Sequence, residues 1–178
     1  MASMRLSVKG IVYAALMGAL TAIGAFIIIP LPPVPITAQT FFLNFGAIIL
    51  GGPLAAFSQF LYVMLGIIGL PVFSGGKAGL GVLFGPTGGY LLGFIVGAFV
   101  IGLVARMRKS AGILWYIFAM IIGMIIIYGC GAVQLAFVAK LSFKKALAVG
   151  VLPFLLGDII KILLAAVISS HFKGRIRV

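Results

Sequence analysis

Residues 146–170 read ALAVGVLPFLLGDIIKILLAAVISS. About 20 apolar residues in a helix suffice to cross a bilayer, so the stretch predicts a membrane span. Its charges are Asp158 and Lys161. An ionisable group near the bilayer centre costs about 2.5–3.5 kcal/mol on insertion scales, so two in one helix require a partner or a wet cavity. At i and i+3 they share a helix face with Cβ atoms about 5–6 Å apart. Two readings follow: a self-neutralising structural pair, or two groups that grip one ligand together. Pro153, one turn earlier, lacks an N–H and frees a carbonyl near Val149, which adds polarity to the same region.

The whole chain shares this character. Of its 178 residues, 64% are hydrophobic and 8% charged, about a third of the charged share of a soluble domain. A water-soluble globule is excluded. Thirteen Lys and Arg face one acid, Asp158, for a net charge of +12. At this apolar content the basicity reads as anchoring of membrane helices rather than a nucleic-acid patch. One cysteine, Cys130, excludes an intrachain disulfide and thiolate metal sites, and one acid with one histidine, His171, leaves no catalytic constellation or metal cluster. No enzyme activity and no cofactor are expected.

Outward from the last span, apolar runs bounded by charges, Gly or Pro predict six transmembrane helices in one all-α bundle, a single domain over residues 1–178. The spans cover approximately 7–29, 36–50, 54–68, 86–105, 112–139 and 146–170. Arg5, Lys9, Ala22 and Gly24 give the first run some features of a cleaved leader, but its uninterrupted length favours a retained span. The prolines at 30, 32, 33 and 35 predict an extended connector. Gly51-Gly52-Pro53 predicts a tight turn, Pro86 suits the first turn of the fourth span, and the fifth span is long enough to tilt, or to break near Gly129-Cys130-Gly131. Residues 69–89, GLPVFSGGKAGLGVLFGPTGG, are too apolar for a solvated linker and too rich in glycine for a helix. They predict a structured Gly-rich loop between the third and fourth helices, capping or dipping into the bundle.

Six spans put both termini on one side. If that side is cytoplasmic, it collects Arg5, Lys9, Arg106, Arg108, Lys109, Lys173, Arg175 and Arg177, against Lys77, Lys140, Lys144 and Lys145 outside. Eight against four favours cytoplasmic termini in a plasma membrane, with the fifth loop as a local dissenter.

Besides Asp158 and Lys161, polar groups gather at Thr37 and Gln39 early in the second span; Asn44, further on, reads as an interhelical hydrogen-bonding group. In the Gly-rich loop, Pro71 and Ala78 occupy positions where a Walker A box needs Gly and Ser/Thr, and Phe84 stands where a dinucleotide fingerprint needs Gly. No nucleotide site is supported. Gly75, Gly76 and Gly79, beside Ser74, Lys77, Thr87 and Tyr90, suit a lid over a small polar ligand or a packed connector. In the first span Ala14, Ala15, Gly18, Ala19 and Ala22 make a stripe of small residues that fits close helix contact, within the bundle or with another membrane protein. The aromatics Phe41, Phe42, Phe45, Phe57, Phe60 and Trp115 read as lipid-facing or core residues, with one or two near Gln39 able to sandwich a flat ring, and His171 reads as interfacial.

Taken together, VPITAQTF (34–41), GLPVFSGGKAGLGVLFGPTGGYLLGF (69–94) and LPFLLGDIIKILLA (152–165) resemble the BioY family, the substrate-binding S components of energy-coupling factor biotin transporters. The resemblance covers nearly the whole chain. It implies a six-helix membrane protein that binds biotin from outside and docks, through an Ala-x-x-x-Ala motif matched by Ala15 and Ala19, on a transmembrane coupling protein carrying two cytoplasmic ATPases. Carried over by position, ligand contacts fall on Ser74 to Gly79, Gln39, Asp158 and Lys161. Asp158 would accept a ureido N–H, Lys161 would donate to the ureido oxygen or the carboxylate, and Gln39 would supply an adaptable amide. At roughly 0.75 kcal/mol per atom, a ligand of about 16 heavy atoms reaches nanomolar affinity.

Two further readings stay open at this point. One is an S component for another small vitamin. The other is a self-sufficient small carrier or channel with Asp158 as its relay.

Overall fold

A computed structural model describes residues 7–108 and 111–172. Arg5, Lys109, Lys173, Arg175 and Arg177, which enter the charge count above, lie outside the described residues. Helix α1 (Val8–Phe26) opens on Ser7, whose Oγ accepts the Gly10 N–H at 3.0 Å and satisfies one of the donors that the first turn leaves unpaired. The proline connector follows, flanked by two short strands. Strand β1 (Ile28–Ile29) pairs antiparallel with β2 (Ile36–Thr37), so the chain returns to its starting point and the prolines form the tip. The extended connector is thus a small ribbon. The Ala38 N–H bonds to the Gly24 and Ile27 carbonyls, pinning the start of α2 (Gln39–Leu50) to the end of α1.

Gly51, at φ +79°, ends α2 and opens α3 (Gly52–Ile67) in one step, with Pro53 in the first turn where its missing N–H costs nothing. The Arg106 guanidinium donates to the Leu50 carbonyl at 2.6 Å, satisfying a group at the end of α2 that the helix itself cannot. The Gly-rich segment is ordered and includes one helical turn, α4 (Leu80–Leu83). Helix α5 (Gly88–Arg106) starts two residues after Pro86 rather than around it. Helices α5 and α6 (Ile113–Val138) are in close contact: a Cβ built on Gly93 would stand 2.9 Å from the Ile127 Cα. Only glycine fits such an approach.

Two helices depart from what the sequence predicts. Helix α6 runs unbroken through Gly129-Cys130-Gly131. Glycine costs about 1 kcal/mol in a helix but removes no donor, and an apolar surrounding penalises any backbone group left unpaired. The break falls instead in the last span, which divides at Val151 into α7 (Phe143–Gly150) and α8 (Leu152–Phe172). Pro153 sits in the first turn of α8, and the Gly150 carbonyl accepts the Tyr90 hydroxyl at 2.7 Å. Proline supplies the break and tyrosine satisfies a buried carbonyl at the end of α7.

Among the described residues, α1, α5, α6 and α8 are long and apolar enough to cross a membrane. Helix α2, with 12 residues, is about 18 Å long, and α3 has 16 residues. Leu43, Ile48, Tyr62, Ile101, Met120 and Leu135 are fully buried between the helices. Leu114, Ile125, Leu156 and Phe137 stand exposed on the outside, an apolar coat that water would not tolerate.

Candidate functional site

The pocket lies where the β2–α2 junction, the Gly-rich segment, α5, α6 and α8 meet, and encloses about 730 Å³ of empty space, its open mouth included. Apolar and aromatic side chains, Phe73, Phe94 and Phe154 among them, make most of the wall. Phe73 also anchors the Gly-rich segment: its buried ring packs edge-on against Tyr62 at 5.7 Å between centroids and fills the space beside Gly66. Gly75 and Gly76, at φ +72° and +73°, form the tip of a turn closed by the pairing of Phe73 with Lys77, and the Gly79 N–H reaches the Gly66 carbonyl at 2.7 Å. From the other side, Gln134 of α6 donates to the carbonyls of Leu83 and Gly85, at 2.5 and 2.8 Å. The segment is therefore held at both ends.

One wall is polar. Asp158, buried at 5% exposure, accepts at Oδ1 from Thr40 Oγ1 at 2.7 Å and from Lys161 Nζ at 2.8 Å, and at Oδ2 from the Tyr128 hydroxyl. Lys161 Nζ also donates to the Thr37 carbonyl at 2.6 Å and to Thr40 Oγ1 at 3.3 Å. Two charges are thus tolerated within an apolar bundle because each is paired and hydrogen-bonded. Next to them the Thr37 hydroxyl donates to Gln39 Oε1 at 2.9 Å, and Gln39 Nε2 donates to the Tyr62 hydroxyl at 2.5 Å. Ser74 Oγ is buried at the pocket with no hydrogen-bond partner among the described residues.

An ionised carboxylate offers about four acceptor positions and an ammonium three donors. Asp158 uses three, leaving one open at Oδ2; Lys161 uses all three, the bond to Thr40 being the longest. Gln39 keeps one N–H and one lone pair, and Ser74 keeps its hydroxyl. The site can therefore accept one hydrogen bond at its buried acid and donate others beside it, within an aromatic enclosure.

The structure brings Thr37, Gln39, Ser74, Lys77, Tyr90, Asp158 and Lys161 together on this pocket. Gly75, Gly76 and Gly79 do not line it; they shape the turn that presents Ser74 and Lys77. Tyr90 lines the wall with its ring while its hydroxyl is committed to Gly150. Asn44, expected to bond between helices, is fully buried with neither amide atom partnered among the described residues, and it does not reach the pocket. Sequence reasoning passed over Tyr128 and Thr40 as site residues. The signal for Tyr128 was present: a phenol in the middle of a 26-residue apolar helix needs a partner, and Asp158 is the only acid.

The small-residue stripe of α1 divides into two faces. Ala14, Gly18 and Ala22 are buried, and a Cβ built on Gly18 would stand 2.8 Å from the Ser58 carbonyl oxygen of α3. Ala15 and Ala19 are exposed. The five residues are therefore not one docking surface. Trp115 donates to the Val104 carbonyl at 2.9 Å beneath the Arg108 guanidinium, which ties it to the α5–α6 end, far in the fold from the pocket's α8 wall.

The chain is similar in sequence and in fold to known proteins. Residues 1–177 match the model of the BioY family. A protein of Thermotoga maritima described as "Biotin transporter BioY" is 44% identical over 165 residues, 93% of this chain and 96% of that one. A "Probable biotin transporter BioY" of Pyrococcus horikoshii is 37% identical, over 93% of this chain and 97% of its own. Among solved structures, the S-component for biotin from an ECF-type ABC transporter superposes with a TM-score of 0.87 at 29% identity, covering 98% of this chain and 95% of that one.

Proposed function

The chain belongs to the BioY family, and from that premise we propose that it is a membrane-embedded biotin-binding S component of an energy-coupling factor transporter. The observation that carries the reading is the polar wall: the only acid of the chain, buried, held by three donors and retaining one open acceptor position inside an aromatic pocket. Biotin presents two ureido N–H groups and a carbonyl on an apolar bicycle, with a carboxylate at the end of its chain. One ureido N–H bonds to Asp158 Oδ2. The free N–H of Gln39 and the hydroxyl of Ser74 serve the ureido oxygen, and Lys161 reaches the ligand by giving up its bond to Thr40. Lys77, exposed at the pocket margin, meets the carboxylate.

In this reading all six apolar segments span or enter the bilayer, α7 and α8 together as the last, with both termini cytoplasmic and the pocket opening outside. Binding is tight and the chain carries no nucleotide motif, so release requires work from outside: a transmembrane coupling protein and two ATPases, reached through the exposed Ala15 and Ala19 of α1. Titration calorimetry of the purified chain with biotin, thiamine and riboflavin tests the assignment. Nanomolar binding of biotin alone is expected. A folded chain that ignores biotin, or prefers another vitamin, overturns it.

A further inference from the structure

Lys140, Lys144 and Lys145 are exposed around the α6–α7 turn, and none lines the pocket. They stand at the pocket end of the bundle, since Gln134 of α6 holds the Gly-rich segment and Gly150 at the end of α7 is bonded to Tyr90. No acidic side chain of this protein can neutralise them: the single one, Asp158, is taken by Lys161. Lys140 moreover occupies a left-handed position, φ +52°, at the end of α6, where glycine or asparagine would fit with less strain. The same turn carries a groove lined by Val133, Ala136, Phe137, Leu141 and Phe143, with Phe137 81% and Phe143 52% exposed. On α7, Ala146 and Gly150 pack inward while Lys144 and Lys145 face out. An apolar groove whose lining residues Leu141 and Phe143 are sequence neighbours of the exposed Lys140 and Lys144 is complementary to an anionic amphiphile.

We propose that the α6–α7 turn binds one anionic phospholipid, its acyl chain along Phe137 and Phe143 and its phosphate on Lys140, Lys144 and Lys145. The excess positive charge that violates the inside–outside bias of the other loops is thereby given a partner. The lipid holds the pocket end of the bundle at the level of the headgroups.

Native mass spectrometry of the full chain, delipidated in a neutral detergent and mixed with equal phosphatidylglycerol and phosphatidylcholine of the same acyl chains, tests this. At least tenfold preference for phosphatidylglycerol is expected. The preference disappears in the triple variant Lys140→Gln, Lys144→Gln, Lys145→Gln and survives in the triple Lys→Arg variant; should the glutamine variant fold poorly, the wild-type ratio and the arginine variant decide. Equal retention of both lipids, or displacement of phosphatidylglycerol by millimolar inorganic phosphate, overturns the proposal. So does an unchanged lipid preference in the glutamine variant accompanied by a slower association of biotin, which would make the cluster a steering surface for the substrate.

Discussion

Lys161 Nζ lies 2.8 Å from Asp158 Oδ1, one helical turn away on α8, and both side chains line the pocket. The ion pair is therefore formed, and it is formed on the pocket wall. Pairing lowers the cost of two charges in an apolar bundle, and three hydrogen bonds leave one of the carboxylate's four acceptor positions unused. Substitutions that separate charge from hydrogen bonding distinguish the two contributions.

Asp158→Asn keeps the volume and one oxygen but replaces acceptor capacity with an N–H facing a ureido N–H. Biotin affinity is expected to fall at least tenfold in calorimetry while the protein still elutes as a folded species. A loss of yield with unchanged affinity in the surviving protein would assign the residue to stability alone.

Tyr128→Phe removes the donor to Asp158 Oδ2 and nothing else. A buried hydrogen bond to a charged group contributes about 1.5–3 kcal/mol, so the thermal midpoint drops and the carboxylate is less well held. Biotin affinity is expected to weaken severalfold, less than in Asp158→Asn. Identical affinity in the two proteins would show that the phenol does not orient the acid.

The helical bundle was legible from composition and run length, and so was the pair on α8, because a charge amid apolar residues is conspicuous in any register. What was not legible depends on contacts distant in sequence. Tyr128 and Thr40 meet Asp158 from α6 and α2, across 30 and 118 residues, and only the packing of α2 and α6 on α8 reveals that they share it. Gly129 and Gly131 suggested a break in α6, yet Gly131 is there to admit the Tyr90 ring, a purpose invisible without the neighbouring helix. The break at Val151 was signalled by Pro153, but whether proline opens a helix or bends one depends on what receives the freed carbonyl, here the Tyr90 hydroxyl on Gly150. On α1, spacing by four gave a stripe of small residues; which of its two edges faces α3 is set by the tertiary fold.

That division of α1 yields a paired prediction. Ala15→Trp and Ala19→Trp alter an exposed face, so biotin binding persists while co-purification with the coupling protein is lost. Gly18→Leu drives a side chain into the Ser58 carbonyl and lowers the yield of folded protein itself. If the tryptophan variants keep their partner, docking uses another surface; if they lose biotin as well, α1 is not independent of the pocket.

The strongest separation of stability from function comes from removing both charges at once. Truncating one member of a buried ion pair strands the other and costs about 3–5 kcal/mol, whereas replacing both by apolar residues of similar volume is often neutral or stabilising. Asp158→Leu with Lys161→Met leaves Thr40 and Tyr128 without their acceptor but strands no charge. The double variant is therefore expected to melt above Lys161→Met alone, and to bind no biotin at micromolar concentration. Were it to retain tight binding, recognition would have to reside in Gln39, Ser74 and the aromatic walls, and the acid would be a structural element that happens to face the cavity.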